Sequence, residues 1–338
     1  MNGRVGWIVW LALLTWHGAW IETASAQTPP FKHQMHPSVS QQIRFLDVRV
    51  VMGQISVSTD DPTRNFDMQG RQGDVHERLA IEFAEATLSL DYSLSTPACN
   101  YAIRVVDSRE VIVRVDPSAG AEQSAILLVQ GKSGAVELKI GSGESSRHIK
   151  SNSLWHVILA EPEIARQNLI PLLELLRPGW QLLKTAQDIE GRLASWSAPV
   201  SAIDAKAIGD LVDLLGNDSF SVREETQRRL VAMGPPVAPW LRSYGVERLD
   251  AEQRTRLRLI LDTLGGVEEE DTPRGAAGWM ASDPITWQLF LRRDDIKQRK
   301  LAHERLEKLL GREIPFDPAA DESERAKQLL IVEKLLSE

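Results

Sequence analysis

Alternation of apolar and polar residues with a period of two dominates the chain from Ile43 to about residue 150. The clearest run alternates with serine and aspartate: Leu88, Leu90, Tyr92 and Leu94. Strict alternation places one face of a strand in a core and the other in water, which is typical of antiparallel sheets. Turn signals rich in Gly, Pro, Asp and Ser interrupt the pattern and predict about nine strands. The pattern is compatible with a sandwich, a barrel or a β-roll.

From Ser153 onwards the apolar residues recur at helical spacing instead. One predicted helix begins at Glu161-Pro162, since proline is favoured in the first turn, and ends at Pro178-Gly179. The change of period predicts a segregated α+β fold, in which an antiparallel all-β domain is followed by an all-α domain. The predicted boundaries are 43–152 for the β domain and 153–200 for a helical connector.

A helix–turn–helix unit is predicted at 201–264. Its inward positions predict one shared core, formed by Leu214, Leu230, Val237 and Leu241. Residues 265–282 are acidic and rich in glycine, which indicates a linker or an exposed loop. A C-terminal helical unit is predicted at 283–338.

The unit at 201–264 resembles a HEAT-type repeat. The matching pattern is L-x-x-L-L-x-x-D-x-x-x-V-R-E, then L-x-x-x-G and V-x-P-x-L, carried by Leu211, Leu214, Leu215, Asp218, Val222, Arg223, Glu224, Leu230, Gly234, Val237, Pro239 and Leu241. The chain end, with Phe316-Asp317-Pro318 and Glu324-Arg325, is similar to that of secreted HEAT-like proteins of Planctomycetes. The resemblance spans about residues 203–338 and implies a surface that holds partners. The β-rich half resembles no family in this way.

The N-terminus has the three parts of a secretory signal peptide. Arg4 precedes an apolar run from Val5 to Trp20, and Ala24-Ser25-Ala26 follows as a small-residue cleavage pattern. The run is too short and too interrupted to span a bilayer. We therefore expect a signal peptide at 1–26, a flexible arm at 27–42, export to the periplasm or the extracellular space, and no transmembrane span after cleavage.

Charge and cysteine content argue against two classes of protein: nucleic-acid-binding proteins and proteins stabilised by intramolecular disulfides. The formal net charge is −8, and nucleic-acid binding needs a basic surface, so a nucleic-acid partner is not expected. Cys99 is the only cysteine, so no intramolecular disulfide can form and the fold must be held together by burial.

No complete catalytic or metal-binding motif is present. His76-Glu77 and His303-Glu304 each begin the zinc-protease motif H-E-x-x-H, but the second histidine is missing in both. His33, Met35 and His36 could hold copper, yet they lie in the predicted arm without preorganised neighbours. The sequence therefore assigns no catalytic, cofactor-binding or metal-binding residue and no cofactor.

Two classes of function remain open. The first is an exported, non-catalytic protein-interaction or scaffold protein of the cell envelope with a protein partner, and the absence of motifs favours it. The second is an envelope hydrolase or a glycan-binding protein with a site at the β/α junction, where His148, His156 and Glu161 would lie. Tryptophans in the helical half are either core residues or an aromatic groove for a glycan or a peptide.

Overall fold

The computed structural model describes residues 43–337, except for residue 60 and ranges 62–64, 85–86, 120–123, 133, 144–145, 198–203, 245–247 and 265–268. The predicted signal peptide at 1–26, the predicted arm at 27–42 and the histidines within that arm lie outside the described residues.

All described strands precede all described helices, as the change of period predicts. A two-stranded hairpin comes first, and eight further strands form one antiparallel sheet in which each strand pairs with the next along the chain. Within the described part, β3 and β10 are the two edges of that sheet. The strands are β1 (Leu46–Val51), β2 (Gln54–Thr59), β3 (Phe66–Gln72), β4 (Val75–Ala84), β5 (Thr87–Ser95), β6 (Cys99–Val106), β7 (Glu110–Pro117), β8 (Ile126–Gln130), β9 (Val136–Ile140) and β10 (Arg147–Ser151).

The alternating residues fix which face of each strand is buried. On β5 every second residue is buried, from Leu88 to Leu94, and the residues between them face outwards or are only partly covered. The same pattern on the other central strands gives the sheet one apolar face. The hairpin contacts the sheet at the turn between β6 and β7, where Val57 N donates to Ser108 O (3.1 Å), and at Gln130, the last residue of β8. The Gln130 side chain accepts a hydrogen bond from Ile55 N (2.7 Å) and donates one to Ile55 O (2.8 Å), as the main chain of a neighbouring strand would do.

The helical half follows β10 after two residues. Its apolar residues and those of the sheet form one continuous core. No helix in the described part of the chain is long and apolar enough to cross a membrane. The helices are α1 (Leu154–Ala160), α2 (Pro162–Ile164), α3 (Ile170–Leu176), α4 (Leu182–Ala194), α5 (Ala205–Leu214), α6 (Phe220–Ala232), α7 (Ala238–Ser243), α8 (Ala251–Leu264), α9 (Pro273–Met280), α10 (Pro284–Leu291), α11 (Ile296–Leu310) and α12 (Glu322–Ser337), with a π-helical turn at Ala165–Leu169 and a 3₁₀ turn at Pro235–Val237.

The predicted linker at 265–282 was wrong over its second half, where α9 lies. Thr272 caps this helix by accepting a hydrogen bond from Gly275 N (3.1 Å), and Pro273 occupies its first turn. Trp279 and Met280 are buried. The two glycines of α9 suggested a loop, but the Thr-Pro pair is a helix start and decides the outcome.

The predicted core of the helix–turn–helix unit needs one correction. Leu230, Val237 and Leu241 are buried, whereas Leu214 is 37% exposed. Leu214 is the last residue of α5, and the helical period turns the following residue, Leu215, inwards in its place.

Candidate functional site

The turn of the first hairpin is the point where the sheet meets the helices. Its two central residues, Met52 and Gly53, both have positive φ, of 49° and 74°. Asp271 holds this turn, because its carboxylate accepts hydrogen bonds from Met52 N (3.0 Å) and Gly53 N (2.6 Å). The Trp155 indole donates to the same carboxylate (2.7 Å), and Asp271 N donates to Val50 O (2.8 Å). A left-handed conformation at Met52 costs about 1–2 kcal/mol, and these bonds to a charged acceptor offset it.

Arg242, on α7, joins the turn to the start of the helical half. Its Nη1 donates to the main-chain oxygens of Met52 (2.8 Å) and Asn152 (3.2 Å). With the amide oxygen of Gln54 turned towards it, the guanidinium also donates from Nε (2.9 Å) and Nη2 (3.1 Å). This one buried side chain therefore binds the hairpin and the segment that leads into α1.

His156, on α1, is the centre of a second set of polar contacts. Its Nδ1 lies 2.7 Å from the Ser153 hydroxyl, and its Nε2 lies 2.8 Å from the Thr286 hydroxyl and 3.5 Å from Asp283 Oδ2. Asn152 Nδ2 donates to the same Asp283 oxygen (3.0 Å). Because the carboxylate faces Nε2, we assign the ring proton to Nε2 and let Ser153 donate to Nδ1.

Burial determines the electrostatics of this junction. It lowers the pKa of His156, an effect that Asp283 opposes and Arg242 reinforces, so the imidazole is neutral. Burial also lowers the pKa of Arg242 to about 10, which leaves the guanidinium charged near neutral pH. Burial raises the pKa of the Asp271 carboxyl, against the hydrogen bonds from Trp155 and the turn.

Ser153, His156 and Asp283 are the residue types of a hydrolase triad, but they are sealed from solvent. Each has 0% of its surface exposed. Ser153 is also the N-cap of α1, where its oxygen accepts a hydrogen bond from His156 N (3.3 Å). A nucleophile must meet its substrate, and this hydroxyl meets only protein. The network is a structural joint between the hairpin, α1, α7 and α10.

The other two residues expected at the junction do not join His156. His148, on β10, lies with its Nε2 3.3 Å from the Ser146 hydroxyl. Glu161 forms an ion pair with Arg147 (3.1 Å). Neither contacts the buried network, so the three residues do not form a common site.

The two partial zinc motifs lie in separate elements, and neither forms a group of metal-ligating side chains with other described residues. His76 is on β4, where its neighbour Glu77 is buried and accepts from the Tyr92 hydroxyl (2.8 Å). His303, on α11, lies 3.6 Å from Glu307 one helical turn later. In the part of the chain that the structure describes, no three His, Cys, Asp or Glu residues are grouped as metal ligands.

An open cleft of about 900 Å³ lies beside the hairpin turn. Its walls come from the hairpin, the end of α4, the 3₁₀ turn, the end of α8 and the first turns of α9. The lining residues are Met52, Arg192, Ser195, Trp196, Ser197, Pro235, Pro236, Leu264, Glu269, Glu270, Asp271, Thr272, Arg274, Gly275, Gly278 and Trp279.

The charges at this cleft divide into paired and unpaired groups. Glu270 is paired, since it accepts from Arg177 (2.6 Å) and from the Trp180 indole (3.0 Å). Arg192 and Arg274 are exposed and make no ion pair with any described residue, and the same holds for Glu269. The lining as a whole carries two cations, Arg192 and Arg274, and three carboxylates, Glu269, Glu270 and Asp271, of which Glu270 is paired with Arg177.

Sequence reasoning placed His156 at the junction but missed its partners and the residues that hold the hairpin turn, Asp271 and Arg242. Asp271 belongs to an acidic stretch that looked like a solvated linker, and its bonds reach residues 218 and 219 positions away. The available signals were local: Met52-Gly53 between two alternating runs indicates a hairpin, and Thr272-Pro273 indicates a helix start. No family model, no curated protein and no solved structure matches this chain.

Proposed function

We propose that this chain is an exported, non-catalytic protein-interaction protein that acts as a scaffold of the cell envelope. In this proposal α5 to α8 form a HEAT-like unit whose exposed face binds a protein partner. Phe220 is the observation that carries it.

Phe220 is the first residue of α6 and is 63% exposed. The guanidinium groups of Arg223 and Arg256 each lie 5.7 Å from the centre of its ring. Arg256 is itself fixed by Glu224 and Glu252, each at 2.7 Å. The phenyl ring is therefore presented in a defined place between two ordered cations.

Single exposed apolar residues are common on protein surfaces and need no explanation. Phe220 differs because its surroundings are ordered before any partner arrives. Aromatic and arginine side chains dominate the energetics of protein interfaces, and ordered side chains lose less entropy on binding. The arrangement supports a preorganised contact point on the HEAT-like unit.

The cellular location is the second part of the proposal. It rests on Arg4, the apolar run to Trp20 and the Ala24-Ser25-Ala26 pattern, all outside the described residues. N-terminal sequencing of the exported protein should begin at Gln27. A first residue within the apolar run would contradict export by cleavage.

The interaction with a protein partner is tested by replacing Phe220 and, as a matched control, another exposed apolar residue. We expect Phe220→Ala to weaken capture of the envelope partner at least tenfold, the loss typical of a hot-spot residue. Leu330→Ala is the control, since Leu330 is 66% exposed on α12. The measurement is a quantitative pull-down from the envelope fraction with the full chain, together with thermal melts that should differ by less than about 2 °C. Equal capture by wild type and Phe220→Ala would contradict the proposal.

A further inference from the structure

We propose that the cleft beside the hairpin turn is a binding site for an acidic oligosaccharide of the uronate class. The inference is independent of the protein-binding face on α6, because it concerns different residues. It rests on an aromatic wall, unpaired cations at the rim and a helix face without side chains.

Tryptophan forms the aromatic wall. Trp196 follows α4 and is only partly buried, so part of its indole faces the cleft. Indole rings present a flat apolar face with a polar edge, and such surfaces bind ligands that combine apolar and polar groups. The C–H face of a pyranose ring is such a ligand surface.

The floor of the cleft is the glycine face of α9. Gly275 and Gly278 both line the cleft, and a Cβ atom at Gly278 would lie 3.9 Å from Cη2 of Trp196. A single carbon at Gly278 would therefore already contact the indole, and a larger side chain there would narrow the cleft beside Trp196. The cleft volume of about 900 Å³ is at the upper end of the range of about 300–1,000 Å³ for ligand sites.

Two guanidinium groups at the rim are able to bind an anion. Arg192 and Arg274 project from two different helices, and neither guanidinium has an ion-pair partner among the described residues. Guanidinium groups bind carboxylates with paired, charge-assisted hydrogen bonds. Because the chain carries a net charge of −8, non-specific attraction of an acidic ligand is opposed, and binding depends on these two side chains.

The remaining polar groups suit sugar hydroxyls. Ser197 and Thr272 contribute hydroxyl groups, and Glu269 contributes an unpaired acceptor. Trp279 is 3% exposed, and its indole N–H finds no acceptor in the part of the chain that the structure describes. Such a buried donor costs about 1–3 kcal/mol when unmatched, and a ligand oxygen that reached it would remove that cost.

An acidic peptide is the competing ligand, and the structure disfavours its binding as an added strand. In that mode an extended peptide forms main-chain hydrogen bonds with a free strand edge. β1 leads into Met52, which lines the cleft, and the outer edge of β1 is already occupied. Val50 O accepts from Asp271 N (2.8 Å), and Val48 O accepts from Arg177 Nη1 (3.0 Å).

The test is isothermal titration calorimetry on the full chain with three probes of six residues each. They are hexagalacturonate, the neutral cellohexaose and a hexaglutamate peptide. We expect hexagalacturonate to bind with a Kd below about 1 mM and the other two to bind at least tenfold more weakly. Added salt should weaken the binding of hexagalacturonate, because the rim pair is exposed.

Substitutions in the cleft test whether hexagalacturonate binds there. Arg192→Gln and Arg274→Gln should each weaken hexagalacturonate binding at least tenfold, whereas Arg71→Gln, on β3 outside the cleft, should change it less than twofold. Gly278→Leu places a side chain in the cleft beside Trp196 and should abolish binding, while Gly278→Ala should retain it. Thermal melts should show that all these variants stay folded. Absence of hexagalacturonate binding, equal binding of hexaglutamate, or undiminished binding by Gly278→Leu would each overturn the proposal.

Discussion

At the residue scale, the junction depends on a few buried polar side chains whose partners are far away in sequence. Asp271 satisfies both N–H groups of the Met52-Gly53 turn, and Arg242 binds the main chain on both sides of it. Neither role could be predicted from sequence, because a lone acid in an acidic stretch and a lone arginine on a short helix have many solvated alternatives. Only the fold brings them together.

The stability of the protein should depend on pH through His156. Burial lowers its pKa below the ordinary value of 6.5, so the unfolded chain binds this proton more tightly than the folded chain does. The contribution of His156 is therefore complete above a pH of about 6.5. It falls as the pH decreases towards the folded pKa, by up to about 1.4 kcal/mol per pH unit.

Urea unfolding at several pH values between about 5 and 7.5 measures this slope. His156→Gln should lower the stability at neutral pH and flatten the dependence below it. His76→Gln, at an exposed position on β4, should keep the wild-type slope. Identical slopes for wild type and His156→Gln would show that His156 does not cause the dependence.

At the element scale, most strands and helices follow from periodicity alone. The period of two gives the strands through Lys150, and the helical period gives α1, α3, α6 and α11. The structure has ten described strands where the pattern predicts about nine. The prediction of a linker at 265–282 fails at α9 for a physical reason. Gly275 and Gly278 lower the intrinsic helix propensity, and burial of Trp279 and Met280 overcomes it.

The close approach of the hairpin to α1 gives a prediction with a matched control. A Cβ atom on Gly53 would lie 2.3 Å from Cβ of Ser153, whereas one on Gly73 would have nothing within 4 Å. Both glycines have positive φ. Gly73→Ala should therefore cost only the conformational strain, about 1–2 kcal/mol. Gly53→Ala adds the steric overlap and should cost about 3–5 kcal/mol.

Urea unfolding of the two variants gives both free energies, and their difference isolates the contact between the hairpin and α1. Equal losses in the two variants would mean that the turn does not pack against Ser153 as described.

At the scale of the whole molecule, three features have separate places. The buried Ser153–His156–Asp283 network is a joint, the cleft beside it is open, and Phe220 lies on a face of the helix–turn–helix unit. Sequence patterns predict that an all-β half is followed by an all-α half along the chain. They do not predict the cleft, because its walls come from five separate segments that only the folded chain brings together.

The central structural claim is that the sheet and the helices form one body, since the cleft and the joint both depend on it. Native-state hydrogen exchange of the full chain at increasing urea tests this most directly. Slowly exchanging amides of β5 to β7 and those of α10 and α11 should converge on the same free energy of opening, because their buried residues share one core. Two distinct limiting free energies, one for the strands and one for the helices, would contradict the account.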